Sequence, residues 1–282
     1  MLGNVQIADH TEGEEETASL ISFSIIRRRA FYMSVAITSR QNPWFKRVRD
    51  ALHEHRDEIV VEGPKFVADA VGAGLKPVAV FRVAGSPGRQ IAGPAKEFEL
   101  SPELFDSLAD TKSPQNVLAL FERPRFSLSS VLGPRVSVVV ALDGVQDPGN
   151  VGTIVRLVAA FDCAGVVLLP GCADAYSPKA IRASAGAVLS VPVVNASVRD
   201  LIRSEIPIWN AALTAPLPGA AAWPPQSRSI LVFGSEGRGV SDEVEQISTP
   251  VSIPMSPRVE SLNVAAAAAI LLAKTYEARR GR

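Results

Sequence analysis

The sequence predicts an α/β protein of two domains, the second of which contains a mostly parallel sheet. A length of 282 residues suits two domains of ordinary size. Hydrophobic residues make up 47% of the chain and charged residues 21%, a balance that supports packed cores. Beyond residue 135, short β-branched apolar runs alternate with helix-like stretches. That alternation is typical of a parallel sheet covered by helices on both faces.

The chain is expected to divide into four parts. We expect a disordered extension at residues 1–36 and a small α/β domain at 37–125. A linker at 126–135 is predicted from its proline, serine and glycine residues, and the second domain follows at 136–282.

Apolar runs and helix-start signals predict the individual elements. In the first domain, the expected elements are a basic amphipathic segment at 42–53, a strand at 59–63, a helix at 64–73 and a strand at 78–83. Ser101 before Pro102 indicates a further helix start. In the second domain, strands are expected at 136–142, 165–169, 191–194, 206–213, 230–233 and 251–253.

Local charge indicates a polyanionic partner. The formal net charge is zero, but Arg27 to Arg49 holds seven basic residues and no acidic one. Four of these residues fall near or in the amphipathic segment: Arg40, Lys46, Arg47 and Arg49. A basic face of this kind favours RNA or DNA phosphates, although a solvated basic face explains the charge alone equally well.

Several functional classes are disfavoured by the residue types present. Cys163 and Cys172 form no metal-type pair, and two such cysteines fit a reducing cytoplasm. The apolar run at 264–273 is too short to span a bilayer. The histidines are His10, His53 and His55. The second domain therefore has no Ser-His-Asp triad and no His-ligated metal, and we expect no metal ion.

The first unusual loop follows the strand at 136–142. Asp147-Pro148-Gly149-Asn150 has the composition of a tight turn, and Asn150 is a suitable N-cap for the next helix. Ligands bind beyond the carboxyl ends of parallel strands. Arg156 in that helix can therefore reach a phosphate there, although an ordinary surface arginine is equally compatible with the spacing.

Two further loops follow later strands. Residues 234–239, Gly-Ser-Glu-Gly-Arg-Gly, allow close approach of backbone to a ligand. They fit neither a P-loop nor the dinucleotide fingerprint. After the last strand, Ser261 or Asn263 can cap the final helix.

Together, these three loops resemble the three ordered motifs of the SpoU (TrmH-type) branch of the SPOUT methyltransferases. The motifs are Asp147–Asn150 with Arg156, then Gly234–Gly239, then Ile253-Pro254-Met255 with Ser261-Leu262-Asn263-Val264. The segment at 177–187 is also similar to that family. Residues 39–43 with Glu62-Gly63 resemble its small substrate-binding domain of ribosomal-protein-like fold.

The resemblance implies a deep trefoil knot in the second domain and a homodimer in which both chains contribute to each site. It also implies S-adenosylmethionine as the cofactor. The residues that would bind it are Gly234, Glu236, Gly237, Ile253, Met255, Leu262 and Asn263.

The implied reaction is methyl transfer to a ribose 2′-OH of structured RNA, with rRNA favoured and tRNA second. The resemblance gives Arg156 the role of a base or of a phosphate-assisted activator. Of these roles we favour a clamp on the RNA phosphate, because an arginine is a poor base. The residues that would order the pocket are Asn150, Glu236, Ser261 and Asn263, and Lys179 and Arg182 would join the RNA-binding residues.

Three alternatives stay open. A catalytically silent RNA-binding homologue predicts no tight cofactor binding. A knotted enzyme that methylates a base would not be expected to carry this Asn-to-Arg spacing. A hydride-transfer enzyme is disfavoured because the dinucleotide fingerprint is missing.

Overall fold

The computed structural model describes residues 34–54, 57–86, 95–111, 113–133, 137–213, 223 and 228–280. Most of the extension expected at 1–36 lies outside these ranges. Val35 and Ala36 lie within them and belong to a strand, so assigning these two residues to a disordered extension is wrong. Strand pairing holds these two residues in the sheet of the first domain, because Val35–Ile37 pairs in parallel with Phe98–Leu100.

The first domain contains a five-stranded mixed sheet in the order β1-β4-β3-β5-β2. The strands are β1 (Val35–Ile37), β2 (Glu58–Glu62), β3 (Pro77–Val83), β4 (Lys96–Leu100) and β5 (Val117–Glu122). β4 runs parallel to β1 and β3, whereas β5 is antiparallel to β2 and β3. The predicted elements include β2 and β3 but neither β4 nor β5.

Helices cover both faces of this sheet: α1 (Pro43–Glu54), α2 (Pro64–Gly72) and α3 (Pro102–Asp106). The amphipathic segment is confirmed as α1, which buries Phe45 and Val48 in a core with Phe81. Ser101 is confirmed as the N-cap of α3, because its hydroxyl accepts a hydrogen bond from the N–H of Leu104 at 3.4 Å.

The expected linker contains a short helix, α4 (Leu128–Val131). Val131 is 1% exposed and packs in a core of the second domain with Val139 and Val167. Part of the segment at 126–135 is therefore a packed element of the second domain rather than a free connection.

The parallel sheet predicted for the second domain is confirmed. Its strands are β6 (Val138–Asp143), β7 (Gly165–Leu168), β8 (Val193–Asn195), β9 (Ile208–Ala212), β10 (Ser229–Gly234) and β11 (Thr249–Ser252). Their order is β11-β9-β10-β6-β7-β8, and every neighbouring pair is parallel. The carboxyl ends of all six strands therefore lie at one edge. The trefoil knot and the ribosomal-protein-like fold of the first domain stay predictions.

Helices pack on both faces of the second sheet. They are α5 (Pro148–Ala160), α6 (Pro178–Ala183), a 3₁₀ helix (Ala187–Leu189), α7 (Val198–Arg203), α8 (Asp242–Glu245) and α9 (Val264–Arg280). The helix α9 continues well beyond the apolar run at 264–273, and Arg279 near its end donates to the carbonyl of Phe161 at 2.7 Å. Among the described residues, no helix has the length and apolar character needed to cross a membrane.

The two domains share one hydrophobic core. The inner faces of β2 and β5 contribute Val61 and Ala119, which belong to the same buried cluster as Leu142 and Ile181 of the second domain. Arg123 reinforces this junction with two hydrogen bonds to Asp174, at 2.9 and 2.6 Å. The orientation of the first domain on the second is thus set by apolar burial and a bidentate ion pair.

The helices α5 and α6 approach so closely that Gly152 leaves no room for a side chain. A Cβ at Gly152 would lie 2.3 Å from the carbonyl oxygen of Ala180 and 2.8 Å from the Cβ of Ala183. We expect Gly152→Ala to lower the free energy of unfolding by about 1–3 kcal/mol, as overpacking does. Urea unfolding measures this change. Gly72→Ala is the matched control, because its Cβ would meet nothing within 4 Å; equal effects of the two variants would contradict the argument.

Candidate active site

A cavity of about 500 Å³ lies at the carboxyl edge of the second sheet, where β9, β10 and β11 end. This size is within the range of sites for small organic ligands. The lining includes most of the residues assigned above to the cofactor: Gly234, Glu236, Gly237, Ile253, Met255 and Leu262. Ser261 also lines it, whereas Asn263 lies beside it.

Side chains from the three loops form one hydrogen-bonded row beside this cavity. Asn150 donates from its Nδ2 to the carboxylate of Glu236. The Nδ2 of Asn263 donates to the Oδ1 of Asn150 at 3.1 Å. The amide of Asn150 is therefore held on both sides, and the three loops, which are far apart in sequence, converge at one place.

The helix α5 begins earlier than expected, so the assignment of Asn150 as its N-cap is wrong. Asp147 is the N-cap: its carboxylate accepts from the N–H of Gly149 at 3.1 Å, and Pro148 occupies the first helical position. Lys179 of α6 contacts the same carboxylate at 2.5 Å. This contact, followed by the Gly149 hydrogen bond, lowers the pKa of Asp147. The side chain of Asn150, one turn into α5, is left available for Glu236.

The glycine-rich loop folds back on the end of β10. Ser235 and Gly239 exchange two backbone hydrogen bonds of 2.9 Å. The end of the loop is anchored by Asp143, 9% exposed, whose carboxylate accepts from the N–H of Ser241 at 2.7 Å. The backbone of Gly234 and Gly237 is thereby presented to the cavity in a fixed shape.

The loop after β11 leads into α9. Asn263 is confirmed as a cap of this helix, since its Oδ1 accepts from the N–H groups of Ala265 and Ala266 at 2.9 and 3.3 Å. The same side chain therefore caps α9 and contacts Asn150.

This arrangement matches known proteins along most of the chain. The model of the SpoU rRNA Methylase family matches residues 137–273. An uncharacterized tRNA/rRNA methyltransferase of Synechocystis is 34% identical over 262 residues, covering 87% of this chain and 93% of the relative. The chain belongs to the SpoU rRNA methylase family.

Two further matches cover both domains. The 23S rRNA (adenosine(1067)-2′-O)-methyltransferase of Streptomyces laurentii is 30% identical, covering 84% of this chain and 93% of the relative. The crystal structure of an AdoMet-bound rRNA methyltransferase from Sinorhizobium meliloti aligns with a TM-score of 0.75 and 28% identity. It covers 87% of this chain and 97% of that chain.

In this SpoU protein, Arg156 lies away from the row of polar side chains. It is exposed on α5, six residues beyond Asn150, and is not among the residues that line the cavity. At about 100° per residue, Arg156 shares a face of α5 with Gly152, the residue that contacts α6. Within a single chain, Arg156 therefore does not line the cavity.

The basic residues assigned to RNA binding differ in their contacts. Arg40 is exposed, and Lys46 is half-buried on α1. Arg47 makes a bidentate contact with Glu58, at 2.8 and 2.6 Å, and Arg49 lies 3.5 Å from Asp50. Lys179 pairs with Asp147, and Arg182 pairs with Asp110 of the first domain at 2.6 Å. Arg182 is thus positioned to join the two domains.

Two residues near the site are absent from the predicted set. Asp143 ends a fully apolar strand, and a carboxylate directly before Gly144 is a signal that could have indicated it. Asn210 lines the cavity from within β9. An amide in an otherwise apolar strand is a comparable signal.

The loop at 235–239 packs so closely on the end of β10 that no side chain fits at Gly234. A Cβ there would lie 2.0 Å from the backbone carbon of Gly239, so Gly234→Ala must displace the loop. We expect this variant to bind S-adenosylmethionine at least about tenfold more weakly, because main-chain contacts would be misplaced. Calorimetry measures the affinity. Ser241→Ala is the control, since it keeps the backbone N–H that Asp143 binds; unchanged affinity in Gly234→Ala would refute the role of the loop.

Proposed function

We propose that the protein transfers a methyl group from S-adenosylmethionine to a ribose 2′-OH of rRNA. The observation that carries this proposal is the hydrogen-bonded row Glu236–Asn150–Asn263 beside the cavity. Polar side chains from all three family motifs meet there. The Streptomyces laurentii relative, whose name specifies 2′-O methylation of 23S rRNA, supports the same reaction.

The cavity fits S-adenosylmethionine in size and lining. Its walls combine apolar side chains such as Ile253 and Leu262 with the backbone of Gly234 and Gly237. When bound, this cofactor supplies a methyl group on a positively charged sulfur. Glu236, at the exposed side of the cavity, would supply negative charge that favours a cationic ligand.

The chain's own residues mainly have to position the ribose. A 2′-OH is a poor nucleophile, so its orientation and the loss of its proton must supply most of the rate. We assign Arg156 to the RNA phosphate next to the reacting ribose, with proton loss eased by that phosphate. Asn150, Glu236 and Asn263 keep the surrounding loops in place, and we assign Ser261 to the wall of the pocket.

We further propose that the active form is a homodimer in the cytoplasm. Arg156 is exposed on α5 and does not line the cavity of its own chain, so a second copy can bring its Arg156 to this cavity. The two cysteines are free thiols, which suits a reducing compartment.

The first domain is proposed to bind RNA beside the site. Arg40, Lys46 and Arg49 are exposed or half-buried on or near α1 and supply phosphate contacts. The ion pair of Arg47 with Glu58 orients its guanidinium, which stacks over Trp44 at 4.9 Å. We favour rRNA as the substrate, and tRNA is the second candidate.

The reaction is tested by incubating the protein with labelled S-adenosylmethionine and deproteinised rRNA or tRNA. We expect label in rRNA, at a nucleotide whose 3′ phosphodiester bond resists alkaline cleavage, because a 2′-O-methyl group removes the attacking hydroxyl. Label in a base, or in tRNA alone, would contradict the proposal. Cofactor binding without methylation of any RNA would favour the silent homologue.

Arg156→Ala is expected to lower methyl transfer about 100-fold or more while the affinity for S-adenosylmethionine is retained. The reason is that the guanidinium contacts RNA and lies outside the cofactor cavity. Single-turnover rates and calorimetry measure the two quantities. An active Arg156→Ala variant would refute the assignment.

Mixing two inactive variants tests the dimer. If Arg156 serves the partner's cavity, Arg156→Ala mixed with Glu236→Gln restores up to about a quarter of wild-type activity. Half of the randomly mixed dimers are heterodimers, and each of these has one intact composite site. Sites formed within single chains would give no recovery.

A further inference from the structure

Arg238 is an exposed arginine of the glycine-rich loop, and it lines the cavity. Its backbone N–H donates to the Oγ of Ser235 at 3.4 Å, whereas its guanidinium forms no ion pair with any described residue. A guanidinium presents its N–H donors in a planar fork that matches a carboxylate or a phosphate. The side chain is therefore available to an anionic group of a ligand.

The charges around Arg238 are opposite to its own. Among the described residues that line the cavity, Arg238 is the one with a positive charge, and three carry a negative charge: Glu236, Glu245 and Glu260. All four are exposed. A ligand complementary to this set carries more positive than negative charge, with its negative group beside Arg238.

S-adenosylmethionine carries that combination of charges. Its sulfonium and ammonium groups are positive, and its carboxylate is negative. An RNA phosphate, in contrast, brings negative charge alone, which the three carboxylates of the cavity disfavour. The charge pattern therefore favours the amino-acid group of the cofactor as the partner of Arg238.

The distribution of apolar and polar residues supports the same orientation of the cofactor. Phe233 and Val251 are buried strand residues in the lining, whereas Arg238 lies on the exposed loop. A zwitterion placed against the buried apolar side chains would lose its hydration, whereas an adenine ring placed there would bury apolar area favourably. The amino-acid group thus belongs at the exposed side, where Arg238 lies.

We propose that the guanidinium of Arg238 binds the carboxylate of the methionine part of S-adenosylmethionine. This inference rests on the proposed function. It makes Arg238 a residue that selects the amino-acid end of the cofactor by a side-chain contact, in addition to the main-chain contacts of the loops.

Calorimetry with two ligands tests the contact. The ligands are S-adenosylhomocysteine and its decarboxylated analogue, in which a hydrogen replaces the carboxylate, and the proteins are the wild type and Arg238→Gln. We expect the wild type to bind S-adenosylhomocysteine about tenfold more tightly than the analogue, and the variant to lose most of that preference. Arg258→Gln is the matched control and should keep the preference, because Arg258 is also exposed but does not line the cavity.

The use of two ligands separates recognition from a displaced loop. A loop displaced by the substitution would weaken both ligands alike and leave the preference unchanged. Arg238→Lys keeps the positive charge but lacks the planar fork, so its preference should fall between those of the wild type and Arg238→Gln. At saturating S-adenosylmethionine, the KM of Arg238→Gln for rRNA should equal that of the wild type.

An undiminished preference in Arg238→Gln would overturn the inference while leaving the proposed function standing, and so would a wild type that binds both ligands equally. A raised KM for rRNA together with an undiminished preference would assign Arg238 to an RNA phosphate instead. A wild type that binds neither ligand would overturn the proposed cofactor and the inference together.

Discussion

The convergence of the three loops depends on the shared amide of Asn150. This side chain donates to Glu236, 86 residues away, and accepts from Asn263, 113 residues away. The parallel sheet brings the loops to one edge, but strand pairing alone does not fix the positions of the loops relative to one another. The row joins them, and because Asn263 also caps α9, the same interaction ties the final helix to the start of α5.

The second domain was largely predictable because parallel strands are buried on both faces and therefore appear as continuous apolar runs. Each of its strands lies within three residues of the predicted position. The first domain was harder to predict. The strand β4 alternates charged residues with Phe98 and Leu100, and it is short. The start of α5 was misplaced because Asp147 followed by Pro148 is a stronger start signal than Asn150.

The loops of the site were predictable from residue types, since glycine, asparagine and carboxylate after a strand are unusual. The partners of the charged residues were not. Arg182 pairs with Asp110 over 72 positions and Lys179 with Asp147 over 32, and such pairings depend on how whole elements pack.

The common core of the two domains has a consequence for engineering. A chimaera that exchanges the N-terminal domain to redirect the enzyme would cut through a continuous apolar cluster and separate Arg123 from Asp174. The graft would then expose hydrophobic surface and leave a carboxylate without its guanidinium. Retargeting this scaffold therefore requires transplanting the facing surfaces as a matched set, or altering the exposed basic side of α1 while leaving the junction intact.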